Sequence, residues 1–162
     1  SGLGRLFDGV AALIGLRHAV NFEGQAAMEL EALATGLTES PYPFELLCHS
    51  GHPSILDVSA TVRAVVADLA SGQNKAKIAA SFHQMIIEAF AAMTEEIRKA
   101  MGLTRVALSG GCFQNKILLE GTIKKLRHSG FDVYHPRQVP ANDGGVCLGQ
   151  AVIAASMVKK GY

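Results

Sequence analysis

The chain has 162 residues, of which 49% are hydrophobic and 18% charged, and its 15 Lys and Arg residues nearly balance its 14 Asp and Glu residues. This composition is typical of a folded domain and excludes intrinsic disorder and a coiled coil. The formal charge of +1 gives no electrostatic support for nucleic-acid binding. No apolar run reaches the roughly 18 residues that span a bilayer, so we expect a cytoplasmic protein with no membrane contact.

The first two thirds of the chain have the pattern of four helices and one β-hairpin. Helical spacing of apolar residues predicts a helix over 3–15, and strong helix formers predict another over 24–35. Two short segments bounded by Gly, Pro and Ser, 44–50 and 55–58, predict the hairpin. Two further helices are predicted, over 59–71 and 75–101.

From Thr104 onward the sequence alternates between strands and helices. A short apolar strand, RVAL, leads into a glycine pair, and a helix over 114–128, a strand over 131–135 and a helix over 146–159 follow. Strand, helix, strand and helix with short links predict a parallel βαβα unit. We therefore expect residues 1–162 to form one α/β domain with several helices packed on a short sheet.

The segment SGGCFQN (109–115) is the strongest local signal for a ligand site. Its glycine pair lies between a predicted strand and a helix, where glycines let the backbone approach an anion and helix N–H groups attract it. The functional interpretation is a phosphate site, and the alternative is a tight turn that needs two small residues. Asn115 fits either a helix cap or a ligand donor.

A second junction of this kind, PANDGGVCLGQA (140–151), precedes the last predicted helix. In an open parallel sheet both junctions lie at the carboxyl edge, where ligands bind. Two such loops favour a nucleotide site more than either loop does alone. Asp143 at this edge suits either a divalent cation that accompanies phosphates or a helix cap.

Carboxylates in the first two predicted helices are further candidates. Glu23, Glu29 and Glu31 occur in the largely apolar EGQAAMELEALA, and Asp8 lies beside the apolar stripe of the first helix. A carboxylate that points into a cleft accepts hydrogen bonds from ribose hydroxyls, whereas periodicity alone favours a solvated helix face. The residues leave both interpretations open.

The histidines and cysteines give weaker signals. His49 and His52 lie three apart with no third ligand at metal spacing, which does not favour a structural zinc site. His83 has the setting of a packed or half-exposed histidine. A helix start favours the Cys112 thiolate, but no base that would make Cys112 a nucleophile is visible.

Five segments taken together resemble one enzyme family. In this order they resemble the carboxyl-terminal part of the HypF-type carbamoyltransferases of nickel–iron hydrogenase maturation. The resemblance implies one lobe of an actin-like ATPase (ASKHA) fold, and a chain that begins with Ser1 is interpreted as part of a larger enzyme. The segments are GRLFDGVAALIGL (4–16), FEGQAAMELEALA (22–34), IAASFHQMI (78–86), VALSGGCFQNKILLE (106–120) and PANDGGVCLGQA (140–151).

The resemblance implies a function for this lobe. The family uses ATP and carbamoyl phosphate to form carbamoyl-adenylate, and then passes the carbamoyl group to the terminal cysteine of the partner protein HypE. The implied cofactors are ATP or carbamoyl-adenylate and a divalent metal (zinc, iron or magnesium), and the implied partner is a HypE-like acceptor. The alternatives are an O-carbamoyltransferase with a small-molecule acceptor and a non-catalytic nucleotide-binding module.

The resemblance also implies residues that hold the nucleoside. FDGVA resembles the family segment whose aspartate contacts the ribose, which corresponds to Asp8 here. EGQAAMELEALA resembles the segment whose glycine and glutamate hold the nucleoside, which implies roles for Gly24 and Glu29.

The remaining implied residues lie near phosphate and metal. SGGCFQN resembles the phosphate-proximal loop, which gives Gly110, Gly111 and Asn115, and the aspartate of NDGG resembles a metal ligand, which gives Asp143. The family completes its metal site with an HxxxH pair, and no such pair occurs in this chain. We therefore expect the missing lobe to share the metal site, and we do not expect catalysis by this chain alone.

Overall fold

A computed structural model of the chain describes residues 2–47 and 53–159. His49 and His52 lie outside the described residues. Six helices and four short strands follow each other in the predicted order, with 3₁₀ turns at Gly111–Gln114 and Asp143–Gly145. The elements are α1 (Leu3–Leu13), α2 (Gln25–Ala34), β1 (Glu45–Leu47), β2 (Ile55–Asp57), α3 (Ser59–Ala70), α4 (Lys75–Met101), β3 (Arg105–Ala107), α5 (Lys116–His128), β4 (Asp132–Tyr134) and α6 (Val146–Lys159).

The helix boundaries follow local capping chemistry. Asn74 begins α4 by accepting a hydrogen bond from the Ala76 N–H, and Gly102 ends it in the left-handed conformation at φ +70°. Gly24, at φ +81°, precedes α2. The predicted helix ends agree with the structure to within two residues for all six helices. Several of these ends coincide with a capping asparagine or a left-handed glycine, which the sequence shows directly.

The four strands form two separate two-stranded sheets. β1 and β2 pair antiparallel with Leu46 opposite Leu56, which confirms the predicted pairing of these two segments. Residues 48–50 of the first predicted strand lie outside the described residues. β3 and β4 pair in parallel with Val106 opposite Val133, and α5 is the crossover between them. The predicted parallel unit is thus confirmed.

The core consists of two clusters of buried side chains. The larger cluster surrounds α4, where Phe82 packs edge-to-face on Phe7 of α1 with ring centroids 5.0 Å apart. The smaller cluster covers the β3–β4 sheet and includes Leu108, Leu126 and Phe131. Helix α5 borders both clusters, because Leu118 belongs to the first and Leu126 to the second.

Helix α6 differs from the other helices because it has no buried residue. Its exposed apolar side chains include Leu148, Val152, Ile153 and Met157. No helix in residues 2–47 or 53–159 combines the length and the hydropathy needed to cross a bilayer.

Candidate functional site

A cavity of about 310 Å³ opens between α1, α2 and the 3₁₀ turn Gly111–Gln114. One part of its wall is apolar, and two carboxylates and the backbone of the turn form the rest. Gly24, Gly111 and Asn115 from the predicted site line this cavity together. The other lining residues are Gly4, Phe7, Glu23, Ala27, Met28, Glu31, Cys112 and Gln114.

Helix α2 presents Glu31 to the cavity rather than Glu29. Residues three, four and seven positions after Gly24 lie on the same helix face, and Ala27, Met28 and Glu31 occupy those positions. Glu29 is five positions away and faces elsewhere. From the sequence, Glu31 is one of three candidate carboxylates and has no role of its own, because helical spacing does not show which face of α2 meets the cavity.

Glu29 instead joins the start of α2 to the preceding loop. Its carboxylate accepts hydrogen bonds from the Arg17 guanidinium, at 3.0 Å from Nε to Oε2, and from the Gln25 amide at 3.1 Å. The hydrogen bond from Arg17 lowers the pKa of Glu29, so this carboxylate is ionised at neutral pH.

The carboxylate of Glu31 lies at the amino terminus of α5. Its Oε1 accepts from the Lys116 backbone N–H at 2.6 Å and from the Ile117 N–H at 3.4 Å. Helix amino termini attract anions, and here the anion is a side chain of the same protein. Without a ligand, the N–H groups of Lys116 and Ile117 are therefore not free, and the phosphate interpretation of this loop stays a prediction.

Asn115 is buried behind the turn and acts as the cap of α5. Its Oδ1 accepts from the Leu118 N–H at 2.9 Å, which confirms the cap interpretation. The alternative role, donation to a ligand, concerns the N–H groups of the same amide and stays a prediction. Its Nδ2 lies 2.9 Å from Nε2 of the fully buried His83. His83 also bonds through Nδ1 to the Ala79 carbonyl at 2.8 Å.

From the sequence alone, His83 has only the setting of a packed or half-exposed histidine, and its polar contacts become evident in the structure. It lies on α4 at helical spacing from Ala79, Ile86 and Phe90, and a polar residue in such a buried stripe requires a partner. That spacing was the available signal. Burial lowers the pKa of His83, so the imidazole is neutral at neutral pH.

The two glycine-containing loops lie side by side, as predicted for the carboxyl edge of the parallel sheet. The Gly110 N–H donates to the Ala141 carbonyl at 2.7 Å. Gly110 has φ +108°, whereas Gly111 is not among the residues with positive φ. Gly110 therefore shapes the turn, and Gly111 is the glycine that faces the cavity.

Asp143 is exposed at the start of its 3₁₀ turn. The cap of this turn is Asn142, whose Oδ1 accepts from the Gly144 N–H at 3.1 Å, so this capping role does not fall to Asp143. Within the described residues, no group of three His, Cys, Asp or Glu side chains that could hold a metal is present. Asp143 therefore offers a single carboxylate.

Asp8 and Cys112 complete the predicted candidates. Asp8 is exposed on α1, one turn after the cavity-lining Gly4 and on the same helix face. Cys112 lines the cavity, but burial raises the pKa of its thiol. The suggestion of a lowered pKa at this helix start is wrong, because partial burial outweighs the hydrogen bond from the Gly4 backbone.

Residues 1–150 match the family model of the carbamoyltransferase Kae1-like domain, second subdomain. The carbamoyltransferase HypF of Synechocystis sp. is 41% identical over 93% of this chain and 19% of its own length. That of Rhizobium leguminosarum bv. viciae is 39% identical over 98% of this chain and 20% of its own length.

A crystal structure of full-length HypF in the phosphate- and nucleotide-bound form matches with a TM-score of 0.90 and 46% identity. The match covers 98% of this chain and 21% of that chain. The chain thus spans about a fifth of the length of the relatives it matches. The expected fold, a lobe of the actin-like type, is confirmed.

Proposed function

The chain belongs to the HypF family of carbamoyltransferases, and from this premise we propose that it forms the nucleotide-binding lobe of such an enzyme. The full enzyme would transfer the carbamoyl group of carbamoyl-adenylate to the terminal cysteine of a HypE-like acceptor protein in the cytoplasm. The observation that carries the proposal is the shared cavity of Gly24, Gly111 and Asn115, which come from distant parts of the sequence.

The cavity wall has the chemical variety that a nucleotide requires. Phe7, Ala27 and Met28 offer apolar surface for a base, and Glu23 and Glu31 offer acceptors for hydroxyl and amino groups. Gly111 leaves backbone uncovered at the opposite wall, where a phosphate could approach closely. Asp8 would contact the ribose from the rim. Glu29 does not line the cavity, and we assign it a structural role in holding Arg17 and Gln25 rather than contact with the ligand.

The phosphates would require positive charge from outside this cavity. Among the described residues that line it, none is Lys or Arg. A divalent metal bound in part by Asp143 would supply that charge, and one exposed carboxylate is suited to a site whose other ligands come from elsewhere. We therefore propose that this lobe binds the nucleotide weakly by itself and that the remaining part of the enzyme completes the site.

The test is calorimetric titration of ATP into this chain and into two variants. We expect a dissociation constant in the high micromolar range or weaker, because a half-open cavity buries less than the 70–90% of ligand surface that complete pockets bury. Glu31→Gln should change the affinity at least fivefold, because it removes a negative charge from the cavity wall and weakens the hydrogen bonds that this side chain accepts from the α5 N–H groups. Glu29→Gln, with the same chemistry two residues earlier, should change it less than twofold.

Two results would contradict the proposal. One is the absence of heat at millimolar ATP together with unchanged amide resonances over 110–115. The other is equal affinities for Glu31→Gln and Glu29→Gln, which would place the nucleotide outside the cavity described above.

A further inference from the structure

A continuous chain of hydrogen bonds connects the interior of α4 to the cap of α5. It runs from the Ala79 carbonyl through the His83 ring and the Asn115 amide to the Leu118 N–H, with donor–acceptor distances of 2.8, 2.9 and 2.9 Å. His83 has no exposed surface, and Asn115 is 8% exposed. The chain thus links a buried helix to a residue of the cavity wall.

Only one assignment of hydrogens satisfies every group. The Ala79 carbonyl can only accept, so Nδ1 of His83 carries the proton, and Nε2 of the neutral ring is then an acceptor. The Asn115 group that faces it must be the NH₂, and Oδ1 then faces the Leu118 N–H that it caps. If Nε2 of His83 carried a proton, this N–H would face the NH₂ group of Asn115, and two donors would oppose each other.

We propose that His83 is a positioning residue for the bound nucleotide, because it fixes the orientation of the Asn115 side chain. In the fixed orientation one N–H of the Asn115 amide is directed at His83, and the second is presented to an acceptor in the cavity that Asn115 lines. This inference rests on the proposed function, because the acceptor would be an oxygen or nitrogen of the nucleotide.

The surroundings of His83 keep the ring fixed and neutral. The Phe7 ring lies edge-on at a centroid distance of 5.3 Å, and the Phe82 ring at 6.1 Å. Glu31 is the charged group that favours the protonated ring, but burial outweighs it. A protonated ring would require the Asn115 amide to rotate by 180°, and the cap of α5 would be lost.

The test is ATP titration of His83→Gln and His83→Leu beside the unsubstituted chain. Gln places an amide oxygen near the position of Nε2 and keeps the acceptor, so its affinity should stay within about threefold of the unsubstituted value. Leu fills the space between the phenyl rings without an acceptor, and we expect at least tenfold weaker binding. Met85→Leu, a fully buried control on the same helix that is outside the hydrogen-bond chain of Ala79, His83, Asn115 and Leu118, should bind as the unsubstituted chain does.

A double-mutant cycle distinguishes positioning from general destabilisation. If His83 acts through Asn115, His83→Leu should weaken ATP binding no further in an Asn115→Ala background. An additional tenfold loss in that background would overturn the inference, and so would unchanged affinity in His83→Leu alone. Absence of ATP binding by the unsubstituted chain would instead contradict the proposed function.

A measurement on the unsubstituted protein covers the case in which His83→Leu does not fold. The nitrogen chemical shifts of the His83 ring report its tautomer, and we expect the proton on Nδ1 and none on Nε2. The opposite tautomer would show that Asn115 presents its oxygen to the ring, and the inference would be wrong.

Discussion

At Gly110 the backbone has φ +108° and ψ 157°, a combination that is essentially restricted to glycine. Its neighbour Gly111 has room for a side chain, since a Cβ built there would come no closer than 4.0 Å to Asn142. The two adjacent positions therefore require glycine for different physical reasons. Gly110 is required by the conformation of the turn, and Gly111 by the open wall of the cavity.

This difference predicts opposite effects of substitution at the two positions. Gly110→Ala should lower the free energy of unfolding by about 1–3 kcal/mol, because it forces a side chain into a strained conformation. Gly111→Ala should change it by less than about 0.5 kcal/mol. Gly111→Val should leave the circular dichroism spectrum unchanged but weaken the affinity for ATP at least tenfold. Denaturant titration and calorimetry of the three variants are the measurements, and equal stability of the two alanine variants would refute the assignment.

The sequence predicted the site only in part at the residue scale. The glycine loops were identifiable because backbone conformation and anion binding both leave a local signal. The choice between Glu29 and Glu31 could not be made from the sequence, because it depends on which face of α2 meets the turn Gly111–Gln114. That contact joins residues more than 80 positions apart in the chain. His83 was missed because its partner Asn115 lies 32 residues away.

Helices α4 and α5 are in close contact at Gly121. A Cβ built on Gly121 would overlap Ile87 Cδ1 and lie 3.1 Å from its Cγ1. The glycine thus allows the two helices to pack at this point, and this contact holds α5 and the turn before it against α4. The position of the cavity wall depends on this approach.

We expect Gly121→Val to lower the free energy of unfolding by about 1–3 kcal/mol through overpacking. Ile87→Ala, which opens space, should compensate, so that the double variant is at least about 1 kcal/mol more stable than the sum of the single effects predicts. Gly149→Val is the control, since Gly149 is also inside a helix but has no atom within 4 Å of a built Cβ. Additive effects in thermal unfolding would contradict close packing at Gly121.

Element boundaries and the pairing of strands were predictable from the sequence, but the separation into two sheets was not. Gly15, Gly36 and Gly102 all adopt positive φ just after helices, which is why the sequence marks those ends. That the hairpin and the parallel pair form separate sheets depends on packing around α4. No local pattern encodes that separation.

On the scale of the whole molecule, α6 stands apart from the rest of the chain. Every residue of α6 is exposed, and its contacts with the body are concentrated at the 3₁₀ turn Asp143–Gly145. An isolated helix of this length is marginally stable in water. Its apolar surface has no cover within the described part of the chain.

We therefore expect removal of residues 146–159 to change the free energy of unfolding by less than about 1 kcal/mol. Ile14→Ala, at a buried position of the main core, should cost about 2–5 kcal/mol in the same denaturant titration. Amide hydrogens in α6 should exchange far faster than those of α4 around Ile86. A truncation that costs as much as Ile14→Ala would show that α6 supports the fold.

The cavity also lies at the border between the two core clusters, since Phe7 belongs to the larger one and the neighbouring Phe113 packs on the smaller one. We expect each cluster to open as a separate cooperative unit when no ligand is bound. A nucleotide that contacted both walls would join them thermodynamically, and at a hundred times its dissociation constant it would add about 2.7 kcal/mol of stability. Amide hydrogens of the two clusters, which we expect to exchange at two different rates without a ligand, should then exchange at one common rate when the site is occupied.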